Sequence, residues 1–205
     1  LENNGVLSPD LVQDMTTHYG KIIKINVFNK KNKIFSIGHR NPQGLYINKD
    51  KNVVFETEHG PWGGDEVNII KENKNYGWPL RIFGVNYDIK SHRWFFDKSD
   101  RTHSGYEKPI MSWVPSIAIS NLIQIKTDYF NYWKDDLIVS SLKDVSLYRL
   151  HLDNYKVITI ETIYIGQRIR DIIELGNGEI VLLTEDPKDW NDKKHFIILN
   201  YFKPY

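Results

Sequence analysis

Three short apolar runs in the middle of the chain read NLIQI (121–125), DLIVSS (136–141) and SLYRL (146–150). Each run is rich in β-branched or large apolar residues over five or six positions, as is typical of β-strands. The second run leads into the third through the polar loop SLKDV (141–145). We therefore interpret this stretch as three successive strands of antiparallel type.

The same arrangement occurs again on both sides of this stretch. The earlier unit comprises GLYI (44–47), VVFETE (53–58) and EVNII (66–70), and the later unit comprises RDIIEL (170–175), EIVLLTED (179–186) and HFIILNY (195–201). In these units too, a polar loop follows the second strand, EHGPWGGD (58–65) in one and EDPKDWNDKK (185–194) in the other. Short-strand repeats of this kind predict an all-β β-propeller. A β-sandwich is the alternative, but it does not explain a polar loop that recurs at one place in each unit.

The repeat predicts that residues 1–205 form a partial propeller of about three to four blades. In such a fold the polar loops share one face, where a ligand site can form around the central axis. Residues 80–111 break the alternating pattern and are rich in aromatic and charged side chains, so we interpret them as a long insertion between blades. A helix is predicted only over Ser8–Thr17, where Ser8 can cap and Pro9 can occupy the first helical position.

The composition excludes several classes of function. The 27 basic and 26 acidic residues nearly balance, so no nucleic-acid partner is expected. The chain has no cysteine, which excludes disulfides and thiolate metal sites. No apolar run approaches the roughly 18 residues of a membrane span. The first residues have neither an initiator Met nor the features of a signal peptide, so we expect the chain to begin within a longer protein.

Two glycine-containing loops carry side chains that a simple turn does not need. The loop GHRNPQG (38–44) lies between two apolar runs that look like strands, and it is either a solvated β-turn or part of a site. The loop EHGPWGGDE (58–66) offers backbone carbonyls and carboxylates, which are ligands that Ca²⁺ prefers. The alternative for this loop is an ordinary glycine-rich turn with a charged edge.

Lys143, Arg168 and Arg170 are the third candidate group. Alternation along a strand places the two arginines on the same face, and with a lysine from the preceding unit's loop they could bind a polyanion. From the spacing alone, ion pairs of the arginines with Asp171 or Glu185 are the simpler interpretation.

Seven motifs occur in order along the chain, namely HYGKIIKIN (18–26), GHRNPQGL (38–45), EHGPWGGDEVN (58–68), NYGWP (75–79), WVPSIAIS (113–120), SLK (141–143) and QRIRD (167–171). Together they resemble the glucose/sorbosone dehydrogenase family, whose members are quinoproteins with a six-bladed propeller. The resemblance extends from about Asp14 to Tyr201. It departs from the family at Ile119, where many members have proline.

The resemblance implies two cofactors, pyrroloquinoline quinone (PQQ) and Ca²⁺, and a role for each matching residue. Arg40 matches an active-site arginine that stabilises the reduced cofactor. The residues that match cofactor contacts are Asn41, His59, Ser116, Lys143, Arg168 and Arg170. The carbonyls of Gly60 and Pro61 match the ligands of the catalytic Ca²⁺, whereas Glu66 and the carbonyl of Tyr76 match ligands of a second, structural Ca²⁺.

The implied activity is oxidation of the anomeric hydroxyl of an aldose to a lactone, in the periplasm or outside the cell. In the family the general base is a histidine upstream of the GHRNPQG segment, and we expect it to be absent from this chain, as is roughly the N-terminal half of a member. The missing blades, or a second chain, would then be needed to close the propeller. Two alternatives are a non-catalytic propeller of the same superfamily that binds a ligand or a protein, and an unrelated sugar-binding β-domain.

Overall fold

The computed structural model describes residues 9–84, 102–186 and 195–199. Strands dominate, with one short α-helix, α1 (Pro9–Gln13), and one 3₁₀ turn, η1 (Asn131–Trp133). The strands are β1 (Lys21–Ile25), β2 (Asn32–Ile37), β3 (Pro42–Asn48), β4 (Val53–Glu58), β5 (Asp65–Ile70), β6 (Lys74–Asn75), β7 (Met111–Trp113), β8 (Ile119–Gln124), β9 (Leu137–Ser141), β10 (Ser146–Asp153), β11 (Lys156–Tyr164), β12 (Arg168–Glu174), β13 (Ile180–Glu185) and β14 (His195–Leu199).

These strands form four sheets, which are the blades of a partial propeller. Their orders are β1-β2-β6, β3-β4-β5-β7, β11-β10-β9-β8 and β12-β13-β14. Every pairing is antiparallel except that of β6 with β2. The strands β3, β8 and β12 each lie at one edge of their sheets. They bring neighbouring sheets together, because β3 packs on β8 and β8 packs on β12. Within the described residues the sheets do not close into a ring.

The predicted repeat is confirmed, since its three units are the second, third and fourth sheets. The sequence pattern missed β7, which adds a fourth strand to the second sheet, and the two-residue β6. The predicted helix is shorter than expected, because the Asp14 carboxylate accepts hydrogen bonds from the backbone and side chain of Thr16 and turns the chain away. The insertion predicted over 80–111 stays a prediction, as residues 85–101 lie outside the described ranges.

Two apolar cores hold the blades together, one on each face of the third sheet. Alternation along β9 sends Leu137 and Val139 into the core shared with the second sheet, and Ile138 into the core shared with the fourth. Phe55 of the second sheet packs in the first of these cores, and Ile172 of the fourth sheet packs in the other. The polar loops are thereby fixed at the sheet ends.

None of the helices in the described ranges is both long enough and apolar enough to cross a membrane.

Stability should depend on this inter-blade packing. Leu122 is 1% exposed in the core between the second and third sheets, whereas Leu45 is 54% exposed on β3. We expect Leu122→Ala to lower the free energy of unfolding by about 2–5 kcal/mol, because it removes buried methyl groups and leaves a cavity. Leu45→Ala should change it by no more than about 0.5 kcal/mol. Urea denaturation measures both, and equal losses would contradict the assigned core.

Candidate functional site

The GHRNPQG loop connects β2 to β3 and packs tightly on the turn after β6. Gly38 has a φ of +80°, and a Cβ at this position would overlap the Asn75 side chain and the Gly77 backbone. His39 is fully buried, its Nε2 lies 2.8 Å from Ser36 Oγ, and its ring stacks on Tyr76 at 4.7 Å. His39 therefore anchors the loop and does not face a ligand in solvent.

Arg40 follows His39 and reaches across to the next loop. Its backbone N–H donates to Glu58 Oε2 at 2.5 Å, which fixes the main chain. Its guanidinium donates from Nη1 to the carbonyl of His59 at 3.0 Å and lies 5.2 Å from the ring centre of Trp78. The backbones of the two loops also bond directly, because His59 N–H donates to the carbonyl of Asn41 at 3.1 Å. The predicted catalytic arginine is thus held rigidly beside the predicted calcium-binding loop.

Asp65, at the start of β5, joins this loop to the third sheet. Its Oδ1 accepts from Gly60 N–H at 3.1 Å and lies 3.8 Å from His59 Nδ1. Its Oδ2 accepts from Ser116 Oγ at 2.7 Å and from Ile119 N–H at 3.1 Å. Burial acts to raise the pKa of Asp65, but His59, Ser116 and the Ile119 amide together outweigh it and lower the pKa. This carboxylate therefore stays charged while fully buried.

The connected set continues to the β9–β10 loop. Lys143 Nζ donates to the carbonyl of Ser116 at 3.1 Å. Contacts therefore run without a break from Arg40 through His59, Asp65 and Ser116 to Lys143. Four residues to which the resemblance assigns a role lie on this path. The fifth, Asp65, belongs to the loop whose carboxylates were considered as Ca²⁺ ligands, but its role in joining the loops was not predicted.

Arg168 and Arg170 lie at the start of β12 and share one acceptor. Arg168 Nε and Arg170 Nη2 donate to the same Glu185 Oε1, at 2.8 and 2.7 Å. Arg170, burial and Arg168 all act on the pKa of Glu185, and the arginines prevail to lower it. Of the two ion-pairing acceptors weighed for these arginines, Glu185 is the one used, while Asp171 accepts from Asn121 at 2.5 Å.

β12, which carries the two arginines, is hydrogen-bonded to the same end of β8 that contacts Asp65. The carbonyl of Ile169, between the two arginines, accepts from Ser120 Oγ at 2.6 Å. Ser120 directly follows Ile119, whose amide donates to Asp65. The arginines therefore flank the connected set, and the acceptor they contact is Glu185.

A small cavity of about 20 Å³ lies between the GHRNPQG loop, the EHGPWGGDE loop and the turn after β6. Its lining includes six residues with an expected role, namely Arg40, His59, Gly60, Pro61, Glu66 and Tyr76. This volume holds one water molecule or one monatomic ion. A tricyclic quinone would have to lie above the cavity, in the space that the loops border.

Three buried carboxylates lie beside this cavity, namely Glu66, which was predicted as a Ca²⁺ ligand, and Glu56 and Glu58, for which no role was predicted. The amide Nδ2 of Asn68 lies 3.1 Å from Glu56, 3.2 Å from Glu58 and 3.3 Å from Glu66. The signal was present, because Glu56 pairs with Asn68 and Glu58 with Glu66 in the β4–β5 register, which places all four on one face. Burial, followed by the proximity of Glu58, raises the pKa of both Glu56 and Glu66 well above the usual range.

Two buried histidines face the same carboxylates. His39 Nδ1 lies 3.5 Å from Glu58 Oε1, and His103 Nε2 lies 3.6 Å from Glu66 Oε1. Neither nitrogen has a hydrogen-bond partner among the residues that the structure describes. One ligand atom each from His39, Glu56 and Glu58 lies within 4.8 Å of the others, a spacing that could hold a metal ion. The cluster thus has an excess of acceptors that a cation would balance.

Comparison with known proteins places this chain in a family. The model of the family described as Glucose / Sorbosone dehydrogenase matches residues 3–191. Aldose sugar dehydrogenase YliI of Escherichia coli is 34% identical over an alignment of 189 positions, which covers 85% of this chain and 50% of that protein. Quinoprotein glucose dehydrogenase B of Acinetobacter calcoaceticus is 23% identical over an alignment of 237 positions, which covers 85% of this chain and 49% of that protein.

The fold gives the same result. A crystal structure of a glucose dehydrogenase superposes with a TM-score of 0.81 and 30% identity, and the match covers 93% of this chain and 57% of that one. The chain spans about half the length of the curated relatives it matches. Because the family match extends over most of the sequence, the chain belongs to the glucose/sorbosone dehydrogenase family.

Proposed function

We propose that this chain carries the cofactor-binding side of a PQQ- and Ca²⁺-dependent sugar dehydrogenase that oxidises the anomeric hydroxyl of aldoses to lactones. The observation that carries the proposal is the unbroken contact path from Arg40 to Lys143. This path brings a guanidinium, backbone carbonyl groups and an ammonium group together from separate loops. Complete activity would also need the rest of the propeller, from further residues or a second chain. A periplasmic or secreted location is part of this proposal.

Cationic side chains fit the anionic character of the proposed cofactor. PQQ carries three carboxylates and supplies a quinone that accepts two electrons from the sugar. Lys143, Arg168 and Arg170 would bind those carboxylates, because guanidinium and ammonium groups form strong charge-assisted hydrogen bonds. Arg40, immobilised on His59 and Trp78, would stabilise negative charge that develops beside it. Asn41, His59 and Ser116 would complete the binding surface.

Oxygen donors fit the proposed calcium ions. The carbonyls of Gly60 and Pro61 belong to a loop that Asp65 fixes, and would hold the ion that contacts PQQ. Glu66 and the carbonyl of Tyr76 would hold the second ion. The excess of buried carboxylate around Asn68 supports a cation there, because a single amide NH₂ has only two protons for three acceptors.

A non-catalytic propeller of the same superfamily is the second candidate, and one observation favours it. Arg168 and Arg170 already donate to Glu185, so this pair could serve structure alone. The two functions differ in whether a tricarboxylate can displace Glu185 from the arginines.

PQQ binding distinguishes the two candidates. In the presence of Ca²⁺, we expect the protein to shift the quinone absorbance of PQQ on titration. Arg168→Ala combined with Arg170→Ala should weaken binding at least about a hundredfold, because each lost charge-assisted bond is worth about 1.5–3 kcal/mol. Arg149→Ala is the matched control, since Arg149 pairs with Asp136 and Glu161 instead. If the double variant bound PQQ as well as the wild type, the non-catalytic function would be preferred.

Removal of calcium should release the cofactor. We expect EDTA to reverse the PQQ absorbance shift and added Ca²⁺ to restore it, whereas Mg²⁺ should restore it poorly because Mg²⁺ demands a stricter octahedral geometry. Absorbance titration and equilibrium dialysis measure the effect. PQQ that remains bound after exhaustive chelation would contradict a bridging role for the ion.

The Asp65 carboxylate should position the site. We expect Asp65→Asn to weaken PQQ binding about tenfold or more, because the amide cannot accept from Gly60, Ser116 and Ile119 together. Asp136→Asn provides the comparison, since Asp136 is equally buried but bonds Arg149 and His151. Both variants should lose stability, measured by urea denaturation, and only Asp65→Asn should lose affinity. Equal affinity losses would contradict a positioning role.

A further inference from the structure

The hairpin between β1 and β2 ends in an apolar tip that projects into solvent. Ile25, Val27 and Phe28 are 61, 76 and 94% exposed. We call residues 24–33 the hairpin tip. Three large apolar side chains at consecutive or near-consecutive positions are costly to leave in water, so their exposure points to a surface that they contact.

The turn that carries these side chains is well built. Asn26 Oδ1 accepts from the amides of Phe28 and Asn29 at 3.0 and 3.2 Å. Asn26 N–H donates to the carbonyl of Lys31 at 2.8 Å, and Lys31 N–H donates to Asn29 Oδ1 at 3.0 Å. The local hydrogen bonds therefore hold Val27 and Phe28 outward in one conformation.

The hairpin tip is strongly basic, although the whole chain has a formal net charge of only +1. Lys24, Lys30, Lys31 and Lys33 are all exposed and surround the apolar apex. Residues 15–49 contain six lysines and Arg40 but no Asp or Glu. Lys33 pairs with Glu72 from outside the hairpin, which still leaves an excess of positive charge.

The corresponding hairpin of another blade lacks these properties. The β10–β11 turn contains Asp153 and Asn154, and Tyr155 packs toward Phe55 with ring centres 6.2 Å apart. The β10–β11 turn therefore has no exposed apolar apex with lysines around it, so the fold does not require one.

The tip lies away from the candidate site. β2 leaves the turn at Asn32 and reaches Gly38 and Arg40 only at its other end. Six strand residues span roughly 20 Å. A partner bound at the tip would leave the site loops accessible.

We propose that the hairpin tip docks the protein peripherally on an anionic lipid surface. Phe28 and Val27 would enter the boundary between headgroups and acyl chains, while Lys24, Lys30 and Lys31 meet the anionic headgroups. An apolar apex with cations at its base matches the order of layers in such a surface. This inference is independent of the proposed function, because it uses none of the site residues.

Co-sedimentation with vesicles tests the proposal. The protein should bind vesicles of phosphatidylglycerol and phosphatidylcholine, bind phosphatidylcholine alone far more weakly, and dissociate in high salt. Phe28→Ser should lower the partition coefficient about tenfold or more. Lys30→Glu with Lys31→Glu should lower it at least about 25-fold, since each lysine contributes roughly a factor of five.

Matched variants separate the tip from general surface effects. Tyr164→Ser removes an aromatic side chain that is 76% exposed on β11, and Lys49→Glu with Lys156→Glu makes the same change of net charge elsewhere. Both should bind vesicles as the wild type does, and circular dichroism should show that every variant is folded. The proposal is overturned if wild type ignores anionic vesicles, if the control variants lose as much binding as the tip variants, or if the protein binds polyglutamate but not vesicles, which would assign the tip to an acidic protein.

Discussion

The site depends on one buried carboxylate. Asp65 accepts hydrogen bonds from the calcium-loop backbone at Gly60, from Ser116 and from the first residue of β8, Ile119. These donors belong to two blades, so the Asp65 carboxylate sets the position of one blade's loop relative to the next blade. A buried charge is tolerated only when its hydrogen bonds are satisfied. The same bonds that make Asp65 stable inside the protein therefore hold the predicted cofactor residues in register.

A second group of carboxylates has too few hydrogen-bond donors, in contrast to Asp65. Glu56, Glu58 and Glu66 converge on a single amide, and two of the three have a raised pKa. Asp65 is adjacent to Glu66 in sequence, yet alternation along β5 sends the two side chains to opposite faces. One face of this blade thus carries a satisfied anion that organises the site, and the other carries an acid cluster suited to a cation.

The blades were predictable because their strands alternate with period two and recur with the same loop order. Short elements such as β7, three residues long, carry too little pattern to be seen. The resemblance of the motifs predicted roles for Arg40 and Lys143. No local pattern predicts that Asp65 joins them, because Asp65 and its partners Ser116 and Ile119 are about 50 residues apart in sequence. The acid cluster could have been predicted from the sequence. The loop sets the register of the β4–β5 hairpin, and this register places Glu56, Glu58, Glu66 and Asn68 on one face. The pairing of Arg168 and Arg170 with Glu185 was one of two open interpretations, and sequence spacing cannot choose between an internal and an external anion.

That pairing has a consequence for ligand choice. Glu185 is an internal counter-anion that accepts one hydrogen bond from each guanidinium group, so an anion that takes over these two donors must displace it. A monocarboxylate would exchange one ion pair for another and gain little. A ligand with several carboxylates can engage the arginines and Lys143 at once, and only such a ligand recovers more than the displaced pair provided. In the proposed function, Glu185 therefore favours ligands with several carboxylates over ligands with one.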